Sequence, residues 1–340
     1  MSASADGPIY LHRYLAPLAE MLARPDVTDI YVNRPGEVWI ETLSGTIEHH
    51  DAPALDTATL DRLARQIAAQ SHQGISREHP LLSATLPDGA RVQIVAPPAT
   101  RGPLALAIRK HIASDLTLDD YVASGAFEAV ARGDASEPSK LDQALCMMLD
   151  AGDIAGLLAA AVKGRKNILV SGGTSTGKTT FLNALIREIP KEERLILIED
   201  TAELRLNHPN AIGLLATRGA LGEARVSADD LLGASLRMRP DRIIVGELRG
   251  EEASTFLRAV NTGHPGSMTT VHADSAERAV EQIALLVLQT GTRLGRADVQ
   301  HYVRSTVDVF VQLARIGGRR QVSEVRLGRW RESNTSMVRR

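Results

Sequence analysis

The run Gly172-Gly173-Thr174-Ser175-Thr176-Gly177-Lys178-Thr179 fits G-x-x-x-x-G-K-[ST]. It sits between an apolar stretch, Asn167 to Val170, and a helical stretch carrying Phe181, Leu182, Leu185 and Ile186. That context gives the pattern its chemical meaning. Glycines let successive backbone N–H groups curl around an anion, and a helix start adds unpaired donors and a favourable dipole. A lysine here reaches the β and γ phosphates of a nucleotide, and the hydroxyl after it ligates magnesium. Lys178 and Thr179 are therefore expected to hold ATP and Mg2+, with Gly172 through Thr180 as the cradle. A glycine turn that merely happened to precede a lysine would not need the strand and the helix around it.

Two further apolar stretches end in carboxylates. Leu195-Ile196-Leu197-Ile198 runs into Glu199-Asp200-Thr201, whose acids fit either magnesium positioning or orientation of an attacking water, with a solvated strand-to-loop junction as the plain alternative. Arg242-Ile243-Ile244-Val245-Gly246-Glu247 resembles a Walker B strand. Many P-loop enzymes hold magnesium through an aspartate there. A glutamate reaches farther and suits a base or water-orienting group on in-line attack at the γ-phosphate. A surface ion pair between Glu247 and Arg249 is the alternative. The expected catalytic set is Glu247, Glu199 and Lys178, and the expected metal set is Thr179, Glu199 and Glu247. His264 and His272 flank another apolar stretch, Ser267 to Val271. Zinc wants three or four ligands, and no cysteine or carboxylate stands at a suitable spacing, so His272 reads better as a γ-phosphate sensor than as a metal ligand.

These groups need elements to hold them. From about Leu141 onward, helical stretches alternate with apolar strands at 167–170, 195–198, 212–215, 242–245 and 267–271, and a hairpin closes across Gly317-Gly318. Such alternation predicts a largely parallel sheet covered by helices, with ligands at the carboxyl ends of its strands. The preceding part reads as α+β. Leu11, Leu15, Leu18 and Leu22 recur at helical spacing up to Pro25, strands are expected at 27–32, 37–42 and 104–108, and two more flank the Pro87-Asp88-Gly89 turn. Helical spacing returns from Asp56 to Gln70. The expected division is residues 1–125 for the N-terminal unit, 126–140 for a linker, 141–330 for the P-loop unit and 331–340 for a loose tail.

Composition bounds the partners. A length of 340 residues suits two domains better than one. A formal net charge of -2 and an aromatic content of 3% supply neither the basic stripe nor the stacking rings of a nucleic-acid motor. No specific nucleic-acid binding is expected. A GTPase switch would carry an N-K-x-D guanine signature, which is missing, and a non-catalytic scaffold would not need Lys178, Thr179 and Glu247 together. The single cysteine, Cys146, excludes an internal disulfide framework. No signal peptide is visible and the longest apolar runs are too short to cross a bilayer. A cytoplasmic protein, at most held on a membrane from outside it, is expected.

Together the segments resemble the secretion, or traffic, ATPase superfamily of type II and type IV secretion and type IV pilus machines. The phosphate loop, the acidic box at Ile198-Glu199-Asp200-Thr201, the glutamate Walker B strand and the histidine box ending at His272 appear in that order. Asn33-Arg34-Pro35-Gly36-Glu37-Val38-Trp39, Leu86-Pro87-Asp88-Gly89, Ile108-Arg109-Lys110 and Leu236-Arg237-Met238-Arg239-Pro240-Asp241-Arg242 look like the type IV secretion branch. Type II and pilus members often carry a four-cysteine zinc module, which one cysteine cannot build. The resemblance implies a RecA-like P-loop NTPase domain behind the α+β domain, a ring-shaped homohexamer, and peripheral attachment to inner-membrane secretion channel components. It also implies that Arg91 and Arg109 reach the γ-phosphate and that nucleotide draws the N-terminal domain closed. A motor for a tight-adherence or other type IV pilus is the alternative.

Overall fold

Alternation of side chains along short β-strands builds the first of two sheets in this computed structural model, which describes residues 7–111, 117–128, 130, 139–217 and 222–328. Strands β1 (Val27–Val32), β2 (Gly36–Thr42), β3 (Ile47–Ala52), β4 (Leu81–Thr85), β5 (Arg91–Val95) and β6 (Ala105–Arg109) pair antiparallel in the order β3-β2-β1-β6-β5-β4. Helix Thr57–Gln70 starts at Asp56, whose carboxylate accepts the Thr59 N–H at 2.7 Å and so caps an otherwise unpaired donor. It buries Leu60, Leu63 and Ile67 in one core with Ile30, Val32 and Ile40. Tyr31, pointing the other way from its neighbours, belongs to the second core instead.

The second sheet comprises β7 (Ile168–Gly172), β8 (Leu195–Glu199), β9 (Ala211–Leu215), β10 (Arg242–Val245), β11 (Met268–Val271), β12 (Val309–Ile316) and β13 (Arg319–Leu327). Their order is β13-β12-β7-β11-β10-β8-β9, parallel throughout except for the β12–β13 hairpin. Helices cover both faces, which is why these strands read as continuous apolar runs. On β8, Leu195 and Leu197 pack with helices Ile154–Lys163 and Lys178–Arg187, while Ile196 and Ile198 pack with Ala228–Ser235, Glu252–Asn261 and Ala276–Leu288. The register sets Val245 beside Ile198 and Thr269, and Val271 beside Ser171, so four parallel strands end at one edge. Mixed α/β architecture with a RecA-like sheet is thus the fold.

The two units share a core. Tyr31, Val95, Ala99 and Ala107 of the first unit pack into the apolar cluster of the second, and fully burying a side chain such as Val95 stabilises by about 1.5–3 kcal/mol. A backbone bridge joins Thr100 to Leu214, with Arg101 N–H donating to the Gly213 carbonyl at 2.9 Å. Arg194, which is 2% exposed, lies 4.0 Å from the centre of the Tyr31 ring and donates to Asn33 at 2.8 Å.

Local differences from the sequence reading have physical causes. The first helical stretch divides into Gly7–Leu15, a tight turn at Ala16–Leu18 and Ala19–Ala23, because Pro17 lacks the N–H a continuous helix needs. Leu11, Leu15 and Leu18 are nevertheless buried on one side. β3 was not anticipated: its Ile47-Glu48-His49-His50-Asp51-Ala52 run is too polar to signal a strand, and pairing with β2 supplies what propensity does not. The expected linker falls mostly outside the described residues, apart from 126–128, 130 and 139–140, and the expected tail lies wholly outside them. Ser139 caps the helix Lys140–Asp150. Among the described residues no helix is long and apolar enough to cross a membrane.

Candidate active site

The phosphate loop is shaped by what its residues lack. A Cβ on Gly172 would come within 3.0 Å of the Leu313 carbonyl oxygen on β12, so only glycine lets β7 turn there. Gly177 sits at φ +92°, a conformation that favours glycine, and Ser175 at φ +60°. Thr176 Oγ1 donates to the Gly173 carbonyl at 2.8 Å and closes the loop on itself. Lys178 and Thr179 then open the helix Lys178–Arg187, with Thr180 exposed one residue on.

Glu247 and His272 converge on the lysine. Lys178 Nζ lies 3.1 Å from the Gly172 carbonyl oxygen, 3.3 Å from His272 Nε2 and 3.7 Å from Glu247 Oε1. His272 Nε2 is 3.0 Å from Glu247 Oε1. That oxygen is buried between the lysine and the histidine. Burial pushes the Lys178 ammonium below its ordinary range; Glu247 opposes the shift and Arg249 adds to it. A phosphate beside Lys178 would favour its charged form. Gly246 is small for a reason, since a Cβ there would meet Glu199 Cγ at 3.1 Å, where β10 and β8 end side by side.

The cavity above the loop, about 430 Å3, is lined by Thr174–Thr180, Glu199, Asp200, Glu247, Arg249, His272 and Arg320 among others. The fit to a nucleotide rests on the glycine cradle, the helix start and the lysine. For magnesium, the Thr179 hydroxyl and the Glu247 carboxylate are hard donors of the right kind. Among the described residues no group of three or more His, Cys, Asp or Glu forms a metal cage. A divalent ion would therefore need the nucleotide's own oxygens to complete its shell.

Glu199 is otherwise engaged than as a metal ligand. Its Oε1 accepts the Glu203 and Leu204 N–H groups at 3.1 and 2.7 Å, and its Oε2 is ion-paired with Arg101 of the first unit. Both side chains are largely buried. Asp200 is the more accessible acid of the pair, 3.5 Å from Arg249. The Glu247–Arg249 ion pair, considered above as an alternative to a chemical role, is present too. Its partner stands in the same cavity, so pairing and chemistry do not exclude one another.

Arg91 and Arg109 stand together but apart from the phosphate loop. They are opposite one another on β5 and β6 and line a separate cavity of about 700 Å3 between the units, with Arg237 and Gln73. Arg109 Nε donates to Asp29 Oδ1 at 2.9 Å. His264 also lies away from the loop, its Nδ1 2.9 Å from the Pro240 carbonyl oxygen. Sequence reasoning missed Arg101 and Arg320. Arg101 follows Pro97-Pro98 in a turn with no motif, and only the pairing to β9 brings it to Glu199. Arg320 follows the Gly317-Gly318 turn, and that hairpin tip was the one available signal.

Comparison with known proteins finds relatives along nearly the whole chain. The model of a family described as Type II/IV secretion system protein matches residues 12–332. The type IV secretion system protein VirB11 of Bartonella henselae is 38% identical over 335 residues, covering 94% of this chain and 93% of the relative. The Brucella suis protein of the same name is 40% identical over 331 residues, covering 95% and 90%. The crystal structure of the VirB11 ATPase from the Brucella suis type IV secretion system, in complex with sulphate, superposes with a TM-score of 0.88 at 39% identity, over 94% of this chain and 97% of that one.

Proposed function

Because this chain belongs to the type II/IV secretion system protein family, we propose that it is the ATP-hydrolysing motor of a type IV secretion machine. It works as a ring-shaped homohexamer, held peripherally on the cytoplasmic face of the inner membrane by channel components, and powers channel assembly or substrate passage. One observation carries the reading: Lys178, Glu247 and His272 meet within 3.0 to 3.7 Å at the edge where the parallel strands end.

Each side chain then has a task. Lys178 and the backbone N–H groups of the loop hold the β and γ phosphates in ground and transition state. Magnesium, when bound with ATP, spreads the developing charge of the phosphates. Thr179 and Glu247 would hold it. The Glu247 carboxylate accepts a proton from the attacking water, and His272, beside both Lys178 and Glu247, responds to the presence of the γ-phosphate. Glu199 positions rather than ligates, since its oxygens already bind protein donors. Arg91 and Arg109 line a cavity apart from this chain's own loop. In a ring, the γ-phosphate they clamp belongs to a neighbouring subunit, and closure of the N-terminal unit upon it accompanies ATP rather than ADP.

Native mass spectrometry with and without a non-hydrolysable ATP analogue tests the ring, and the Lys178→Ala variant tests the site. The expected results are a six-subunit species, and loss of both nucleotide binding and turnover in the variant. Only monomers under every condition would remove the ring, and near wild-type hydrolysis by Lys178→Ala would remove the site assignment.

A further inference from the structure

The β12–β13 hairpin brings a cation to the phosphate loop from the side that the catalytic strands leave free. In the sheet order, β8, β10 and β11, which lead into Glu199, Glu247 and His272, all lie on one side of β7, and β12 and β13 lie on the other. Leu313 is level with Gly172, the first loop residue, and β12 continues past it through Ala314 and Arg315 to Ile316. Arg320 pairs with Arg315 on the returning strand, so its backbone stands about 7 Å beyond the start of the loop at the usual rise per strand residue. The turn between them is Gly317-Gly318, both at positive φ, the two-residue form that continues the twist of its strands. The reach of Arg320 is therefore set by paired backbone rather than by a loose loop.

Its side chain crosses the loop. A Cβ built on Gly177 would lie 3.2 Å from Arg320 Cδ and 3.8 Å from its Nε and Nη1. The alkyl stem thus lies against the bare glycine and the guanidinium borders the same cavity as Lys178 and Thr179. Arg315 folds back to the turn, donating to the Gly318 carbonyl at 3.3 Å. The Arg320 guanidinium, by contrast, makes no hydrogen bond or ion pair with any described residue. A guanidinium beside an anion cradle, with its donors uncommitted, matches phosphate oxygens in geometry and charge.

We propose that Arg320 is a nucleotide-binding residue that holds the α and β phosphates, the part shared by ATP and ADP, from the side opposite Glu247 and His272. The assignment rests on the nucleotide reading of the phosphate loop and adds a contact to it. Lys178 lies against Glu247 and His272, so the γ-phosphate belongs on that flank. The hairpin flank receives the remainder of the molecule. A contact made equally in the ground and transition states is uniform binding, and its loss raises KM more than it lowers kcat.

The test is calorimetric titration of ADP and of CDP into wild type, Arg320→Ala, Arg320→Lys and Lys178→Ala, with ATP hydrolysis measured in parallel. Arg320→Ala should weaken ADP and CDP alike by about tenfold, the lower end for a hydrogen bond to a charged group. It should raise the ATP KM by a similar factor and lower kcat by less, and Arg320→Lys should recover part of the affinity. The thermal midpoint without nucleotide should match wild type, while the shift produced by ADP shrinks. ADP affinity within twofold of wild type in Arg320→Ala overturns the proposal, as does a loss seen with ADP and not with CDP, which would assign Arg320 to the base. If wild type itself binds no ADP, the nucleotide reading of the loop fails and this contact fails with it.

Discussion

Replacing Arg101 by methionine keeps the bulk of the side chain and removes its charge, which isolates the ion pair to Glu199. The pair joins two units of the fold, and the two side chains are only 15% and 4% exposed. Removing one partner of a buried pair costs about 3–5 kcal/mol, because the other charge stays buried without compensation. Glu199 keeps its two backbone donors from Glu203 and Leu204, so the lower end, about 3 kcal/mol, is expected. For a cooperative unit of the size of the second one, that corresponds to a fall of roughly 6 to 12 °C in thermal midpoint. The Glu199→Gln change in the same background removes the stranded charge, so the double variant should be more stable than the sum of the singles predicts by about 2 kcal/mol. Urea or thermal unfolding of wild type, both single variants and the double variant closes the cycle. Additivity within about 0.5 kcal/mol, the range for independent sites, would show that the two side chains do not interact and refute the reasoning.

Other outcomes follow from the same geometry. Glu247→Gln should retain MgATP affinity while kcat falls by ~10²- to 10⁴-fold, the usual worth of general-base assistance; normal hydrolysis in this variant, with loss in Glu199→Gln, would reverse the roles of the two glutamates. Arg91→Ala or Arg109→Ala should lower hydrolysis and affinity for an ATP analogue while leaving ADP affinity nearly unchanged; equal losses for both nucleotides by calorimetry would rule out a γ-phosphate clamp. Burial holds His208 and His264 below the ordinary histidine value of 6.5. The unfolded chain then binds more protons than the folded one as pH falls through that value, so stability should decline from about pH 6.5 downward. Thermal midpoints between pH 7 and 5 should drop less steeply in His208→Gln and His264→Gln, and identical slopes in all three proteins would refute it.

The meeting of these groups at one edge of the second sheet was legible because its signals are local. Gly172 to Thr179, the acids after Val245 and Ile198, and His272 each directly follow or end an apolar strand, and parallel pairing places strand ends together whatever the loops between them do. Contacts between the units were not legible in that way. Arg101 meets Glu199, and Asn33 meets Arg194, across long stretches of intervening sequence; neither pair has a spacing that could announce it. Arg91 and Arg109 were expected at the nucleotide from a resemblance. Their alternation on β5 and β6 says only that they are neighbours, not which loop they serve.

β8 connects at both ends to the other unit. Arg194, the residue before its first, lies against Tyr31 and Asn33, and Glu199, its last, is paired with Arg101. A beam clamped at both supports cannot shift at one end without loading the other. A displacement at the Glu199 end would therefore load the Tyr31 end through five residues of buried strand. The N-terminal unit would receive that load through two separated points of attachment, and two points define an axis of rotation where one would leave a free pivot.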